Sequence, residues 1–167
     1  MKRLIPTAEM TLGPFFPREF AQGAADLTGS PVAGEKIEIV GRVTQLDGKP
    51  LDNLVLEIRQ ADSRGRFDDP AIPGWGRAAT DAQGTYRFRT LKPGAPQGRI
   101  AHVNFLLLYS GLTRQLQTVM FFESGKDPVL DAVPAALRKR LVAQREGTVY
   151  RFDLRLRGEG ETPFFDD

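Results

Sequence analysis

Near the end of the chain, Tyr150, Phe152, Leu154 and Leu156 alternate with Arg151, Asp153, Arg155 and Arg157. A period of two puts the apolar set on one face and the charged set on the other, the pattern of a half-buried strand. Stretches rich in Val, Ile and aromatic residues recur upstream. They are EKIEIVGRV (35–43), NLVLEIRQ (53–60), GTYRFRT (84–90), AHVNFLLLYS (101–110) and RQLQTVMFF (114–122). Turn-forming residues separate them: Asp47-Gly48, Asp68-Asp69-Pro70 with Pro73-Gly74, KPGAPQG (92–98), and Ser110-Gly111. One segment breaks the pattern. In DAVPAALRKRLVAQ (131–144), Val133, Leu137 and Leu141 lie four apart, which predicts a helix. Asp131 is its expected cap, Pro134 is tolerated in the first turn, and Arg138, Lys139 and Arg140 approach the C-terminal end. Six or more strands and one helix predict an all-β fold, an antiparallel β-sandwich with that helix outside the sheets.

Residues 1–34 follow neither period. Four prolines (Pro6, Pro14, Pro17, Pro31) and four glycines (Gly13, Gly23, Gly29, Gly34) break them up, so they read as an extended, irregular N-terminal arm. An arm of that length without a function is uncommon in a compact domain. Phe15 and Phe16 are too apolar to be left in water, so TLGPFF (11–16) is expected to lie against a body or a partner. The 167 residues fit one domain, 1–167.

Composition narrows the chemistry. With 41% hydrophobic residues the chain can build a core. Lys and Arg number 23 against 21 Asp and Glu, and no long basic run points to nucleic acid. The absence of cysteine removes disulfides, thiolate metal sites and thiol nucleophiles, and it suits a cytoplasmic location. The start lacks the apolar stretch and small-residue cleavage site of a signal peptide, and no run is long enough for a membrane span.

Few residues carry a chemical handle. No GxSxG, HExxH, GxGxxG or P-loop is present. His102 is the single histidine, and one imidazole makes no His-rich metal site without Tyr, Asp or Glu partners. A hydrogen-bonded structural role, a place lining a site, and metal ligation all remain open for it. Asp68-Asp69 reads as a solvated loop before it reads as a carboxylate pair, and GEGETPFFDD (158–167) reads as a packed C-terminal hook.

The order of several motifs is more informative than any one of them. TLGPFF at 11–16, GEKIEIVGRV at 34–43, LEIRQAD at 56–62, WGRAATDAQGTYRFRTLKPG at 75–94, AHVNF at 101–105 and YRFDLRLRGEGETPFFDD at 150–167 cover most of the chain. Together they resemble the alpha-type chains of the intradiol ring-cleavage dioxygenases. Catalytic chains of that family hold Fe(III) with two tyrosines and two histidines, the latter from an AHIHF-like strand. Here His102 matches the first histidine, and Asn104 stands in the place of the second. Pro96 falls near one tyrosine position, and RGRFDDP (64–70), with Phe67, replaces the other.

The resemblance therefore implies no metal bound by this chain. It implies a beta-type partner that carries the Fe(III), pairing with this chain into protomers that assemble further. The substrate is implied to be a small aromatic diol, protocatechuate, cleaved with O2 to 3-carboxy-cis,cis-muconate. Thr11, Gly13, Pro14 and Phe15 match the arm segment that helps form the substrate pocket. Ser110 stands where alpha-type chains can place a carboxylate-binding arginine, with Arg114 four residues on. A non-catalytic binding or scaffold protein of the same descent, and an independent enzyme with another metal arrangement, are the competing readings.

Overall fold

The computed structural model describes residues 17–21, 23–29, 33–68 and 74–165. Two sheets face each other. The first is ordered β4 (Thr85–Leu91), β1 (Lys36–Thr44), β8 (Val149–Arg151), β7 (Gln144–Glu146), with β9 (Leu154–Arg155) also on β1. The second is ordered β3 (Trp75–Ala79), β2 (Val55–Gln60), β5 (His102–Leu108), β6 (Leu116–Phe121). Pairings are antiparallel except those of β8 and β9 with β1. The expected mostly antiparallel sandwich is thus the observed fold. Among the described residues no helix is long and apolar enough to cross a membrane.

Alternation builds the core. Ile37, Ile39 and Val43 of β1, Tyr86 and Phe88 of β4, Leu56 and Ile58 of β2, and Val103, Phe105 and Leu107 of β5 all point between the sheets and are buried. Aromatic edges meet at its centre. The Phe105 ring lies 5.4 Å from that of Phe152 and 5.9 Å from that of Tyr86.

The C-terminal stretch is not the single strand its alternation predicts. It splits at Phe152-Asp153 into β8 and β9. Tyr150, Phe152 and Leu154 still face the core. The interruption has partners on β1 and β4. The Tyr86 hydroxyl donates to the Phe152 carbonyl at 2.5 Å, and the Arg42 amide donates to Asp153 Oδ1 at 2.9 Å. Gly41 makes room for this carbonyl, because a Cβ there would overlap it.

The helical segment also differs from expectation, in both its start and its continuity. Asp127, not Asp131, is the cap, and α1 runs Pro128–Ala132 with proline at its first position. Val133 is extended, as the residue before a proline must be to avoid clashing with the ring. Pro134 therefore divides the segment into α1 and α2 (Ala135–Arg138), followed by a 3₁₀ turn at Lys139–Leu141. Gln144, the expected helix end, already belongs to β7. The apolar stripe survives the break. Val133 and Leu141 are buried with Leu130, Val119 and Phe121 on the outer side of β6, and Leu137 packs beside them.

The described part of the arm runs along the open edge of the sandwich. The Arg77 amide donates to Ala24 O, the Leu27 amide to Arg89 O, and the Arg89 amide to Ala25 O. The segment thus ties β3 of one sheet to β4 of the other and covers both edges. Gly76 allows the close approach, since a Cβ would sit 2.7 Å from Leu27 Cδ1.

Candidate functional site

β5 carries the residues singled out by sequence. Val103, Phe105 and Leu107 face the core, so His102, Asn104 and Leu106 face outward. His102 is nonetheless buried, with its ring 5.9 Å from that of Phe121. Its Nδ1 lies 2.7 Å from the Ile100 carbonyl. A carbonyl only accepts, so Nδ1 carries the proton and donates. Burial pulls the imidazole pKa below its usual value. The bond to Ile100 opposes that, the Arg99 charge adds to it, and the Asp127 charge opposes it. His102 is a neutral ring with a fixed tautomer.

Behind it lies a buried polar knot that the sequence reading missed. Asp127 Oδ2 accepts from Arg99 Nε at 2.7 Å and from the Ile100 amide at 3.0 Å. Its Oδ1 accepts from the Val129 amide at 2.9 Å and caps α1. Burial alone would raise this carboxyl's pKa. The bonds from Arg99, Ile100, Val129 and Leu130 outweigh burial and hold it below its ordinary value. The signal was the Asp127-Pro128 pair, an N-cap followed by proline at the first helical position.

The donors beside His102 do not fit a centre of two phenolates and two imidazoles. Asn104 is half-buried, and its carboxamide is a weak ligand where an imidazole is required. Phe67 is exposed, and Pro96 is half-buried on its loop. The chain has three tyrosines. Tyr86 and Tyr150 are fully buried in the core. The Tyr86 hydroxyl is committed to the Phe152 carbonyl, and burial, with the Asp153 charge, pushes its pKa well above the usual phenol range. Tyr109 lies beyond the other end of β5. Among the described residues no group of three or more His, Cys, Asp or Glu is placed to hold a metal ion.

Ser110 is also beyond the far end of β5, eight residues from His102, roughly 25 Å along an extended chain. The structure therefore does not bring the two together. Ser110 lines an open hollow of about 510 Å³ with Tyr109, Leu46, Leu51, Leu112 and Leu116, and Arg157 is the one charged lining residue among those described. Arg114 is exposed and is not among the residues that line it. Thr11, Gly13, Pro14 and Phe15 fall outside the described residues.

Comparison with known proteins gives one consistent result. The family profile described as "Dioxygenase" matches residues 13–158. The protocatechuate 3,4-dioxygenase alpha chain of Burkholderia cepacia is 34% identical over 196 aligned positions, covering 99% of this chain and 100% of that one. The beta chain from the same organism is 37% identical, covering 81% of this chain and 69% of its own length. Among solved structures, the dioxygenase domain of a dioxygenase and carbohydrate-binding protein fusion from Streptomyces sp. SirexAA-E superposes with a TM-score of 0.65 at 25% identity, covering 92% of this chain and 99% of that one. The chain belongs to the intradiol ring-cleavage dioxygenases, and within them it is related to the protocatechuate 3,4-dioxygenase alpha chain.

Proposed function

We propose that this chain is the alpha-type subunit of a heteromeric protocatechuate 3,4-dioxygenase. In this reading a beta-type partner holds the Fe(III), and this chain helps to form the substrate cleft beside it. Cleavage of protocatechuate with O2 to 3-carboxy-cis,cis-muconate then takes place on the partner's iron, in the cytoplasm. The reading is carried by one combination. The chain matches an alpha chain from end to end, yet the phenolates and the second imidazole are missing around His102. The position of Ser110 supports it as well. Its hollow lies at the end of the sandwich away from His102, where it can serve a neighbouring chain's site rather than one of its own.

The proposed contacts to substrate are Thr11, Gly13, Pro14 and Phe15 of the arm, and Ser110. Glycine lets backbone approach a ligand closely, and proline stiffens the segment. Ser110 supplies an uncharged hydroxyl where a guanidinium would pair a carboxylate in two bonds, so the beta-type chain is assigned the substrate's carboxylate.

The test is co-expression with a beta-type chain, followed by iron analysis and steady-state oxygen uptake. The complex is expected to contain iron and to consume O2 with protocatechuate. Gly13→Leu should leave assembly and iron content intact while kcat/KM falls at least tenfold, about 1.4 kcal/mol. An intact, iron-loaded complex with unchanged kinetics would place the arm away from the cleft. About one tightly bound iron in the chain purified alone would overturn the division of labour.

A further inference from the structure

A recess of about 170 Å³ opens on the outer face of the first sheet, where β7 and β8 meet the 3₁₀ turn at Lys139–Leu141 and the C-terminal segment. Lys139, Arg140, Gln144, Arg151, Asp153 and Thr162 are among its lining residues. Strand register places three of them. Gln144 of β7 is paired with Arg151 of β8, so both stand on one face of the sheet. Phe152 faces the core, so Arg151 and Asp153 on either side of it face out. Thr162 is brought in by the returning chain. Its amide donates to the Arg155 carbonyl at 3.0 Å, and its hydroxyl accepts from the Arg155 amide at 2.9 Å.

Three cations line the recess, Lys139, Arg140 and Arg151, against the single carboxylate of Asp153. Asp153 Oδ1 accepts from the Arg42 amide at 2.9 Å and lies 3.7 Å from Arg151 Nη1. Cations just outside the recess are matched. Arg138 pairs with Asp131 at 3.0 Å, and Arg145 with Glu35 at 3.4 Å. Lys139 and Arg140 have no such partner: among the described residues no carboxylate lies within ion-pair distance of either. Arg140 Nη1 donates to the Glu161 carbonyl at 2.9 Å, and its other N–H groups take no acceptor among those residues. Thr162 adds a second, independent sign. Its side chain is buried, and its hydroxyl is used only as an acceptor among the described residues. The hydroxyl hydrogen is therefore a buried donor in want of an acceptor, which a folded chain rarely leaves unmet.

We propose that this recess is a binding site for a phosphate group, either free inorganic phosphate or the end of a phosphomonoester. The Arg140 and Arg151 guanidinium groups and the Lys139 ammonium supply the charge, and charge-assisted bonds to phosphate oxygens are the stronger kind. The Thr162 hydroxyl and the Gln144 carboxamide supply neutral donors to the remaining oxygens. Size restricts the ligand. The recess falls well below the ~300 Å³ at which sites for ring-bearing ligands begin, so it admits one tetrahedral group and leaves any ester substituent outside. Neither iron, the N-terminal arm nor the Ser110 hollow takes part, so the test stands apart from that of the proposed cleft.

The full chain is titrated by calorimetry with sodium phosphate at pH 8, in Tris chloride at constant ionic strength, with phosphorus NMR line widths followed in parallel. Saturable binding at one site per chain is expected. Acetate, which lacks the tetrahedral oxygens and the second charge, should bind about tenfold or more weakly. Glycerol 1-phosphate separates the two sources: affinity equal to that of phosphate assigns the recess to the end of an ester, and weaker binding assigns it to the free ion. Arg140→Gln should weaken phosphate about tenfold, and Lys139→Gln and Arg151→Gln by smaller factors. Asp153→Asn keeps an acceptor for the Arg42 amide and removes the one negative charge, so it should tighten binding roughly threefold, a gain that a purely structural role would not produce. Arg89→Gln, at an exposed arginine of β4 away from the recess, should leave the affinity as it is. Circular dichroism checks that each variant is folded. No saturable binding of phosphate to the wild-type chain, equal affinity for acetate, undiminished binding by a folded Arg140→Gln protein, or weaker binding by Asp153→Asn would each overturn the proposal.

Discussion

Replacing Asp127 by alanine removes the centre of the polar knot behind His102. Three losses are separable. The α1 cap goes, at about 1 kcal/mol. The Ile100 amide, buried and previously bonded at 3.0 Å, loses its acceptor at a cost of ~1–3 kcal/mol. Arg99 loses its counter-ion. Breaking a fully buried pair costs about 3–5 kcal/mol, but the Arg99 side chain is 26% exposed and can recover part of its hydration. These overlap, so the expected net loss is about 3 kcal/mol, a large share of the ~5–15 kcal/mol that keeps a domain folded. Asp127→Asn keeps the cap and the shape but not the charge, and it should fall between the two. Chemical denaturation at pH 7 measures both. The pH dependence then isolates the charge. The Asp127 carboxyl is held below its ordinary value of 3.8, so its contribution is present above that pH and is lost as pH falls through the lower folded value. The gap between wild type and Asp127→Ala should therefore narrow below about pH 4. A loss under ~1 kcal/mol at pH 7, or a gap that stays constant down to pH 3, would show that the ion pair is not what holds α1 to β5.

Two further outcomes follow from the same geometry. His102 is the only imidazole, so its single ring resonance can be titrated by proton NMR without assignment. Its midpoint should lie below 6.5, and the stability it supplies as a neutral ring should be complete above 6.5 and be lost as pH falls from there toward the folded midpoint; a midpoint above 6.5 would contradict its burial. Gly41→Ala puts a methyl group onto the Phe152 carbonyl and within 2.7 Å of the Tyr86 hydroxyl, neither a flexible side-chain end, so denaturant unfolding should show a loss of about 2 kcal/mol or more, and a loss under ~0.5 kcal/mol would mean that the β8–β9 junction is free to shift.

The strands were legible where side chains alternate over five or more positions. β1, β2, β4, β5 and β6 fall where Val, Ile and aromatic residues mark them. β3 was not legible. Trp75-Gly-Arg-Ala-Ala has no β-branched residue, and its place in the sheet is fixed by pairing with β2 and by the arm crossing Gly76. β7 is too short to show a period, with all three of its residues exposed. At 131–144 the side-chain stripe was read correctly and the backbone was not, because spacing four apart does not register the steric demand of Pro134 on Val133. Of the candidate site, the replacements at the histidine and tyrosine positions were visible as residue types. The separation of Ser110 from His102 needed the extended length of β5. The pairing of Asp127 with Arg99 joins a helix cap to the loop before β5, 28 residues apart, which no local pattern records.

The position of these residues on β5 explains how such a fold can persist without its own four-donor centre. Period-two alternation assigns Val103, Phe105 and Leu107 to the core and leaves positions 102, 104 and 106 outside it. An asparagine at 104 therefore removes no core contact, and the sheet pairs through backbone that is indifferent to the side chain. The ring of His102 is held by the Ile100 carbonyl and lies against Phe121. Substitutions on that outward face can change the chemistry while the core positions of the facing strands keep the two sheets together. Selection on function then acts on what the sandwich presents at its ends and outer faces, which the core positions hold in place.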